Sequence, residues 1–327
     1  MPEIFMSDFA GKPLWAWTVF FILIVVLLAL DLGVLQKKDE EIGVAKSLKL
    51  SAFYIGIAFL FGGWVWWKMG AQSGADYITG YLVEKTLSLD NIFVISLVFT
   101  YFSIPRQYQH RVLFWGILGV IVLRGIMIAL GATLVHNFEW ILYIFALFLI
   151  FTGIKMLKDD DSAPDIGQNP VLKFLQRRMR ITSDLYGNAF TVRLKDPDTG
   201  RHQIWATPLL VALMVVETVD IIFAVDSVPA VFAITSDPYI VYTSNIFAIL
   251  GLRALYFALA AILHRFEYLK HAVSLILIFI GSKIFIADAL GLEKFPSALS
   301  LCITVGLLAG GIILSLVRVR PRSEVKH

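Results

Sequence analysis

The sequence predicts an all-α polytopic membrane protein with about nine transmembrane helices, and three observations carry that expectation. Hydrophobic residues make up 58% of the chain and charged residues 16%, with a mean hydropathy of +0.77, outside the range of soluble domains. Apolar windows of roughly 20 residues, the length that crosses a bilayer, recur along the chain. Lys and Arg fall in alternate connections between these windows, as cytoplasmic retention of positive charge requires.

The windows run Trp15 to Leu35, Leu48 to Trp67, Tyr77 to Phe102, Val112 to Val135, Trp140 to Leu157, Pro208 to Ile234, Tyr239 to Leu263, Leu269 to Ala287 and Ser297 to Val317. The first follows a nearly uncharged N-terminal stretch, lacks a small-residue cleavage site and precedes Lys37 and Lys38. It reads as a retained helix with its N-terminus outside. One set of connections, 36–49, 103–111, 158–206, 264–271 and the tail after Val317, carries 20 of the 28 Lys and Arg, whereas the alternate set holds Lys12, Lys68 and Lys294. That places the N-terminus in the periplasm and the C-terminus in the cytoplasm. Trp64, Trp66, Trp67 and Trp140 fall at window ends, where an interfacial belt belongs.

An internal repeat organises these windows. Aligning Asp90-Asn91 with Asp226-Ser227 places Glu84 and Asp220 six residues upstream, Arg124 and Arg253 in the following windows, and the F-x-G-x-K elements of Lys155 and Lys283 in the third. Three windows per copy is an odd number, so the second copy enters the membrane inverted, a plan of secondary transporters whose sites lie where the copies meet. The expected units are 1–76 (two helices), 77–157 (first repeat), 158–207 (cytoplasmic polar loop), 208–288 (inverted second repeat) and 289–327 (last helix and basic tail). Within the loop, a short helix is expected from Asn169-Pro170. A hairpin is expected from AFTVRL to RHQIWA, turning at Pro197 and Gly200.

Glu84, Asp90, Glu217, Asp220 and Asp226 lie in long apolar runs. Such carboxylates face a cavity, pair with other charges or hold a substrate, so the default reading is an ion or proton pathway. Buried ion pairs without a substrate are the alternative, which the duplication disfavours. With Asn91 and Ser227 the set donates oxygen alone. The six histidines are placed in loops or at the C-terminus, and oxygen ligands suit Mg²⁺, Ca²⁺ or Mn²⁺ over zinc or copper. On straight helices, residues six apart point about 120° apart, so all five acids cannot reach one ion. Pro229 frees the carbonyl of Val225 and predicts a kink beside Asp226. Arg124 and Arg253 are expected to neutralise carboxylates, with Lys155 and Lys283 assisting or snorkelling. Lys85 has no counterpart, since Val219 occupies its place in the second copy. Asp31, near the cytoplasmic end of the first window, is assigned an interfacial, structural or gating role.

Other chemistries find no footing. The single cysteine, Cys302, excludes a disulfide framework and a thiolate metal site. No nucleotide-binding motif and no G-x-G-D element of an aspartyl intramembrane protease is present, so no enzyme and no organic cofactor is expected. The net charge of +3 records the loop bias and says nothing of nucleic acid.

At GYLVEKTLSLDNIFV, VLRGIMI, FEWILYIFALFLIFTGIKM, VETVDIIFAVDSVPAVFAIT and TSNIFAILGLRALYF the chain resembles the TerC family of bacterial integral membrane proteins, specifically its Alx-like branch. The resemblance spans most of Gly80 to Lys283. It implies an inner-membrane manganese exporter within the LysE-type superfamily, with Mn²⁺ as transported substrate. Carried onto this sequence, the family's acidic motif falls on Glu84, Asp90 and Asn91, and on Glu217, Asp220, Asp226 and Ser227. Proton exchange is the natural coupling, because carboxylates that release a metal can take up protons. The competing reading is a non-transporting membrane factor that aids redox or metal loading of exported proteins. Membrane-protein partners or a homo-oligomer are compatible with either.

Overall fold

The computed structural model describes residues 8–9, 11–31, 43–138, 140–158, 170–195, 201–259, 267–292 and 295–317; the side chains of Asp90, Val171, Glu267, Leu269 and Leu316 lie outside that description. Two short strands, β1 (Asp8–Phe9) and β2 (Lys12–Pro13), precede α1 (Leu14–Leu30), α2 (Val44–Met69), α3 (Ala71–Tyr101), α4 (Arg106–Asn137) and α5 (Ile141–Lys158). A cap follows, built from α6 (Pro170–Arg178), β3 (Thr191–Lys195) and β4 (His202–Ala206), and then α7 (Pro208–Phe232), α8 (Pro238–Leu259), α9 (Glu267–Ala289) and α10 (Ser297–Val317).

The chain is an all-α polytopic membrane protein. Among the described residues seven helices, α2, α4, α5 and α7 to α10, are long and apolar enough to cross a membrane. Helix α1, with 17 residues, spans about 26 Å, and α3 is long enough but carries Asp76, Glu84, Lys85 and Asp90. The outward surface is apolar where lipid would meet it: Val122, Ile126 and Leu130 recur one turn apart on α4 and are 60%, 53% and 61% exposed. Trp66, Trp67 and Trp140 are exposed at helix ends as expected, while Trp64 packs edge-on against Trp15 at 5.9 Å.

Several helices begin before their apolar windows: α2 at Val44, α3 at Ala71 and α4 at Arg106. A hydropathy window reports the stretch that fits the hydrocarbon, whereas hydrogen bonding carries a helix on into the interface. Most of 103–111 is therefore helix rather than connection. The placement of all histidines in loops is corrected with it, since His110 and His136 lie in α4 and His271 in α9; His264 and His327 lie outside the described residues. Helix α7 is also continuous through Pro229, which sits three residues before its end. A proline there disturbs few remaining hydrogen bonds, so helical structure runs on past Asp226 without interruption.

The polar connection is more ordered than a linker. The expected short helix is α6, and β3 pairs antiparallel with β4 from Thr191↔Ala206 to Lys195↔His202; the turn with Pro197 and Gly200, and Asp159, Asp160, Asp161 and Asn169, lie outside the described residues. Leu172 and Leu175 of α6 are buried in one cluster with Phe99, Ile104, Val112, Leu209 and Tyr256. The cap thus sits at the bundle end where α3 and α8 finish and α4 and α7 begin.

Helix packing follows a regular scheme: α3 lies on α8, α4 on α7, α5 on α9 and α3 on α7. Exchanging α3 with α7, α4 with α8 and α5 with α9 maps this set onto itself. The α5–α9 crossing repeats the relation at residue level. A Cβ on Gly153 would lie 2.7 Å from the carbonyl oxygen of Ser274 and from Ile278, and one on Gly281 would lie 2.5 Å from the carbonyl oxygen of Ala146 and 2.8 Å from Ile150. Both glycines belong to the F-x-G-x-K elements, and their absent side chains let the backbones meet. Gly281→Leu is expected to cost at least the roughly 1–3 kcal/mol of an overpacked core. A lowered thermal transition of the detergent-purified variant checks this, and an unchanged transition contradicts the close crossing.

The other half of the interior is aromatic. Phe20 of α1, Phe61 of α2, Tyr77 of α3 and Tyr239, Tyr242 and Phe247 of α8 share one cluster, with Phe61 and Phe247 centroids 4.8 Å apart. Their hydroxyls find helix carbonyls: Tyr77 donates to Ala58 at 3.1 Å, Tyr239 to Ala16 at 3.2 Å and Tyr242 to Ile121 at 3.1 Å. These bonds keep buried phenols satisfied. They also tie α8 to α1 and α4, and α3 to α2, fixing the wall on which the charged centre is built.

Candidate functional site

A guanidinium in an apolar helix must find acceptors, because it does not lose its charge in proteins. Arg124 of α4 is 1% exposed and finds them on three neighbouring helices. Its Nη1 lies 2.8 Å from Glu84 Oε1 of α3. The same nitrogen donates to Ser227 Oγ of α7 at 2.7 Å and to Asn245 Oδ1 of α8 at 3.1 Å. Nε lies 3.3 Å from Asp220 Oδ2, and Nη2 donates to Asp220 Oδ1 at 3.4 Å.

The carboxylates are closed off from the other side. Glu84, 0% exposed, accepts from Ser88 Oγ at 3.2 Å and from Asn245 Nδ2 at 2.9 Å. Asp220 accepts from Asn91 Nδ2 at 3.3 Å. Paired and hydrogen-bonded carboxylates are what a buried charge network requires if it is not to destabilise the fold, while Asn91 Oδ1 is buried without a partner among the described residues. The network joins an acid of α3 and an acid of α7 through one arginine.

Glu84, Asn91, Asp220, Ser227 and Arg124 therefore come together in the structure. Glu217 does not join them. It lies three residues from Asp220 on α7, about 60° around the helix, and its carboxylate rests on α4: a Cβ on Gly119 would lie 2.6 Å from its Cδ, and one on Gly116 would lie 3.2 Å from Oε1. Both Glu217 oxygens are buried without a hydrogen-bond partner among the described residues. Asp226 is half-buried and feels the charge of Lys155 on α5. Asp90 belongs to α3 beside Asn91, but its side chain lies outside the description. Lys85 donates to the Ala248 carbonyl at 3.1 Å, and Lys283 to Ser300 Oγ at 3.3 Å. Among the described residues no three His, Cys, Asp or Glu side chains stand close enough to hold a metal ion.

A second network closes the cap end. Arg253 of α8 pairs with Asp31 at the end of α1 and contacts the imidazole of His110 on α4, while His110 Nε2 lies 4.0 Å from Asp31. The guanidinium also stacks 5.1 Å above Phe114. Asp31 is 4% exposed and Arg253 7%. The void among them is about 10 Å³, room for one water at most.

The opposite end differs. A cavity of about 1290 Å³ opens there between α1, α4, α5, the α7–α8 turn and α9, lined by residues that include His136, Tyr143, Phe232, Thr235 and Lys283. It reaches Gly125, the neighbour of Arg124, and Tyr242. The charged centre lies beyond its floor rather than inside it.

Asn245, His110 and Ser88 are the site residues that sequence reasoning missed. Asn245 sits in a run with Thr243 and Ser244, all 0% exposed, and an amide inside a span needs a partner to be tolerated. His110 lies four turns before Arg124, within about 40° of it around α4. Ser88 stands one turn after Glu84.

Residues 69–323 match the family described as Integral membrane protein TerC family. The chain is 48% identical over 303 residues to an uncharacterized membrane protein of Rickettsia bellii, covering 93% of this chain and 97% of that one. It is 44% identical over 289 residues to a protein of Photorhabdus laumondii (85% and 88% covered) and 40% identical over 317 residues to one of Salmonella typhi (93% and 94%), both provisionally named membrane-bound redox modulator Alx. No solved structure matches the chain.

Proposed function

The chain belongs to the TerC family of integral membrane proteins, and on that premise we propose that it is a secondary transporter exporting Mn²⁺ across the bacterial inner membrane. The observation that carries the reading is the buried centre in which Arg124 holds Glu84 and Asp220 together. Ionisable residues inside a membrane are rare and mark ion and proton pathways by default. Here the arginine keeps the two acids neutralised while no metal is present, and an arriving divalent cation competes for the same oxygens. Asn91 and Ser227 add neutral oxygens suited to a hard cation. Asp90 and Asp226 are assigned as the core ligands from the two copies, with Glu217 as a supporting ligand or proton carrier, and no organic cofactor takes part.

Two inverted repeats, 77–157 and 208–288, are supported by the exchange symmetry of the packing and by the paired glycines at the α5–α9 crossing. With α1 and α3 added to the seven apolar helices, the spans number nine. The distribution of Lys and Arg supports a cytoplasmic cap, a periplasmic N-terminus and a periplasmic opening for the 1290 Å³ cavity. A tight cytoplasmic end and a wide periplasmic end are the arrangement expected after release of an exported ion. No nucleotide motif is present, so the driving force is assigned to an ion gradient, with protons as the exchanged ion.

The provisional name of the Alx relatives favours a second reading, a non-transporting membrane factor for redox or metal loading of exported proteins. The chain has one cysteine, so it cannot cycle an internal dithiol, and a partner would have to supply the second thiol. Purified protein in proteoliposomes loaded with a divalent-sensitive dye separates the two readings. Mn²⁺ flux that responds to a pH gradient and is lost in Asp90→Asn/Asp226→Asn is the expected result. Absence of flux under every gradient would sink the transporter.

A further inference from the structure

Helix α6 is built to face two environments. Leu172 and Leu175 are 1% and 3% exposed in the cluster at the end of the bundle, while Phe174 on the other side is 59% exposed. Lys173, Arg177 and Arg178 are exposed beside it, and α6 contains no acid. The Arg178 guanidinium lies 5.9 Å over the Phe174 ring. Retention of positive charge at a membrane face accounts for basic residues, but it does not account for an exposed phenylalanine among them. An aromatic ring stacked with arginine beside further cations fits a surface that is apolar and anionic at once.

The rest of the cap is tied to the starts of α4 and α7. Arg111, near the start of α4, lies 5.7 Å from the Phe190 ring, and Thr207 Oγ1 donates to Ala189 and Phe190 at 2.7 and 3.1 Å. The hairpin turns Arg193, Lys195 and Ile204 outward, Ile204 being 62% exposed. Within the described cap Asp184 is the one acid; the connection's others are Asp159, Asp160, Asp161, Asp165, Asp196 and Asp198 in sequence, outside the described residues.

We propose that α6 docks on the anionic phospholipid headgroups of the leaflet it faces, with Lys173, Arg177 and Arg178 contacting phosphates and Phe174 entering the interface. The proposal is independent of the transported ion. Hydrogen exchange of the full-length protein in nanodiscs tests it, comparing phosphatidylcholine with mixtures containing phosphatidylglycerol. Exchange across 170–178 is expected to slow in the anionic discs by roughly fivefold for each basic residue engaged. High salt and Lys173→Gln/Arg177→Gln/Arg178→Gln should each abolish the difference. These substitutions leave Leu172 and Leu175 in place, so the cap stays folded. Equal exchange in both lipids, or protection that survives the triple substitution, would overturn the proposal. So would equal protection from inorganic phosphate in phosphatidylcholine discs, or protection that follows the number of protein copies per disc rather than lipid charge.

Discussion

Arg124→Gln is expected to produce the largest loss of any single substitution, in stability and in transport together. It leaves Glu84 and Asp220 buried with no cation, and breaking a buried pair costs about 3–5 kcal/mol. Ser227 Oγ and Asn245 Oδ1 lose a donor at the same time. Arg124→Lys should rescue little, because an ammonium cannot present a planar fork to acceptors on α3, α7 and α8. The informative variant is the neutral triple, Arg124→Gln/Glu84→Gln/Asp220→Asn. Removing all three charges takes away the penalty that each leaves on the others, so the thermal transition should recover most of what Arg124→Gln loses. Mn²⁺ flux should not recover, since the two carboxylates that Arg124 holds for the arriving cation are replaced by amides. A triple variant that folds and transports would reduce the centre to a structural ion-pair network, and one as unstable as Arg124→Gln would show that packing, not charge, explains the single change.

The centre was legible in the sequence to the extent that charge is legible. An arginine inside a span has to meet an acid, so Arg124 could be expected to neutralise carboxylates before any coordinates, whereas its choice of Glu84 and Asp220 among the five acids came with the structure. Asn245 could not be expected there, because a neutral amide gives no sign of which helix it faces. Glu217 and Asp220 look equivalent as letters three apart. About 60° of helix rotation turns one toward Arg124 and the other into the slot left by Gly116 and Gly119. That slot is a property of α4 that only the α4–α7 packing reveals. The same limit applies to the fold. Hydropathy located the apolar helices, but His110 was assigned to a loop because the apolar window begins at Val112 while the helix begins at Arg106. The connection 158–206 reads in sequence as a cytoplasmic polar loop carrying a short helix and a hairpin, without any packing against the bundle. Its order comes from Leu172 and Leu175, two residues too few to register in a composition window.

The second large effect is expected at the cap end. Asp31 neutralises Arg253 where α1, α4 and α8 converge, and Tyr54 and Ile117 close the remaining space. Asp31→Asn leaves a buried guanidinium with His110 as its nearest polar neighbour, so the closed arrangement loses about 3 kcal/mol or more, over a hundredfold in its population relative to an open one. With Leu250→Cys as reporter in a Cys302→Ser background, a membrane-impermeant thiol reagent applied from the cap side should react slowly in the otherwise native protein and at least tenfold faster with Asp31→Asn. Loss of the pair from a purely structural position would instead lower the thermal transition without changing labelling, and that outcome removes the gate. The apolar pair Asp31→Leu/Arg253→Met separates closure from switching. Well-packed apolar replacements of a buried ion pair are often neutral or stabilising, so this variant should label as slowly as the native seal. It should also transport poorly, because a seal with no charges to separate gives no advantage to the state that water must enter. Rapid transport by that variant would assign the opening of the cap end to other residues.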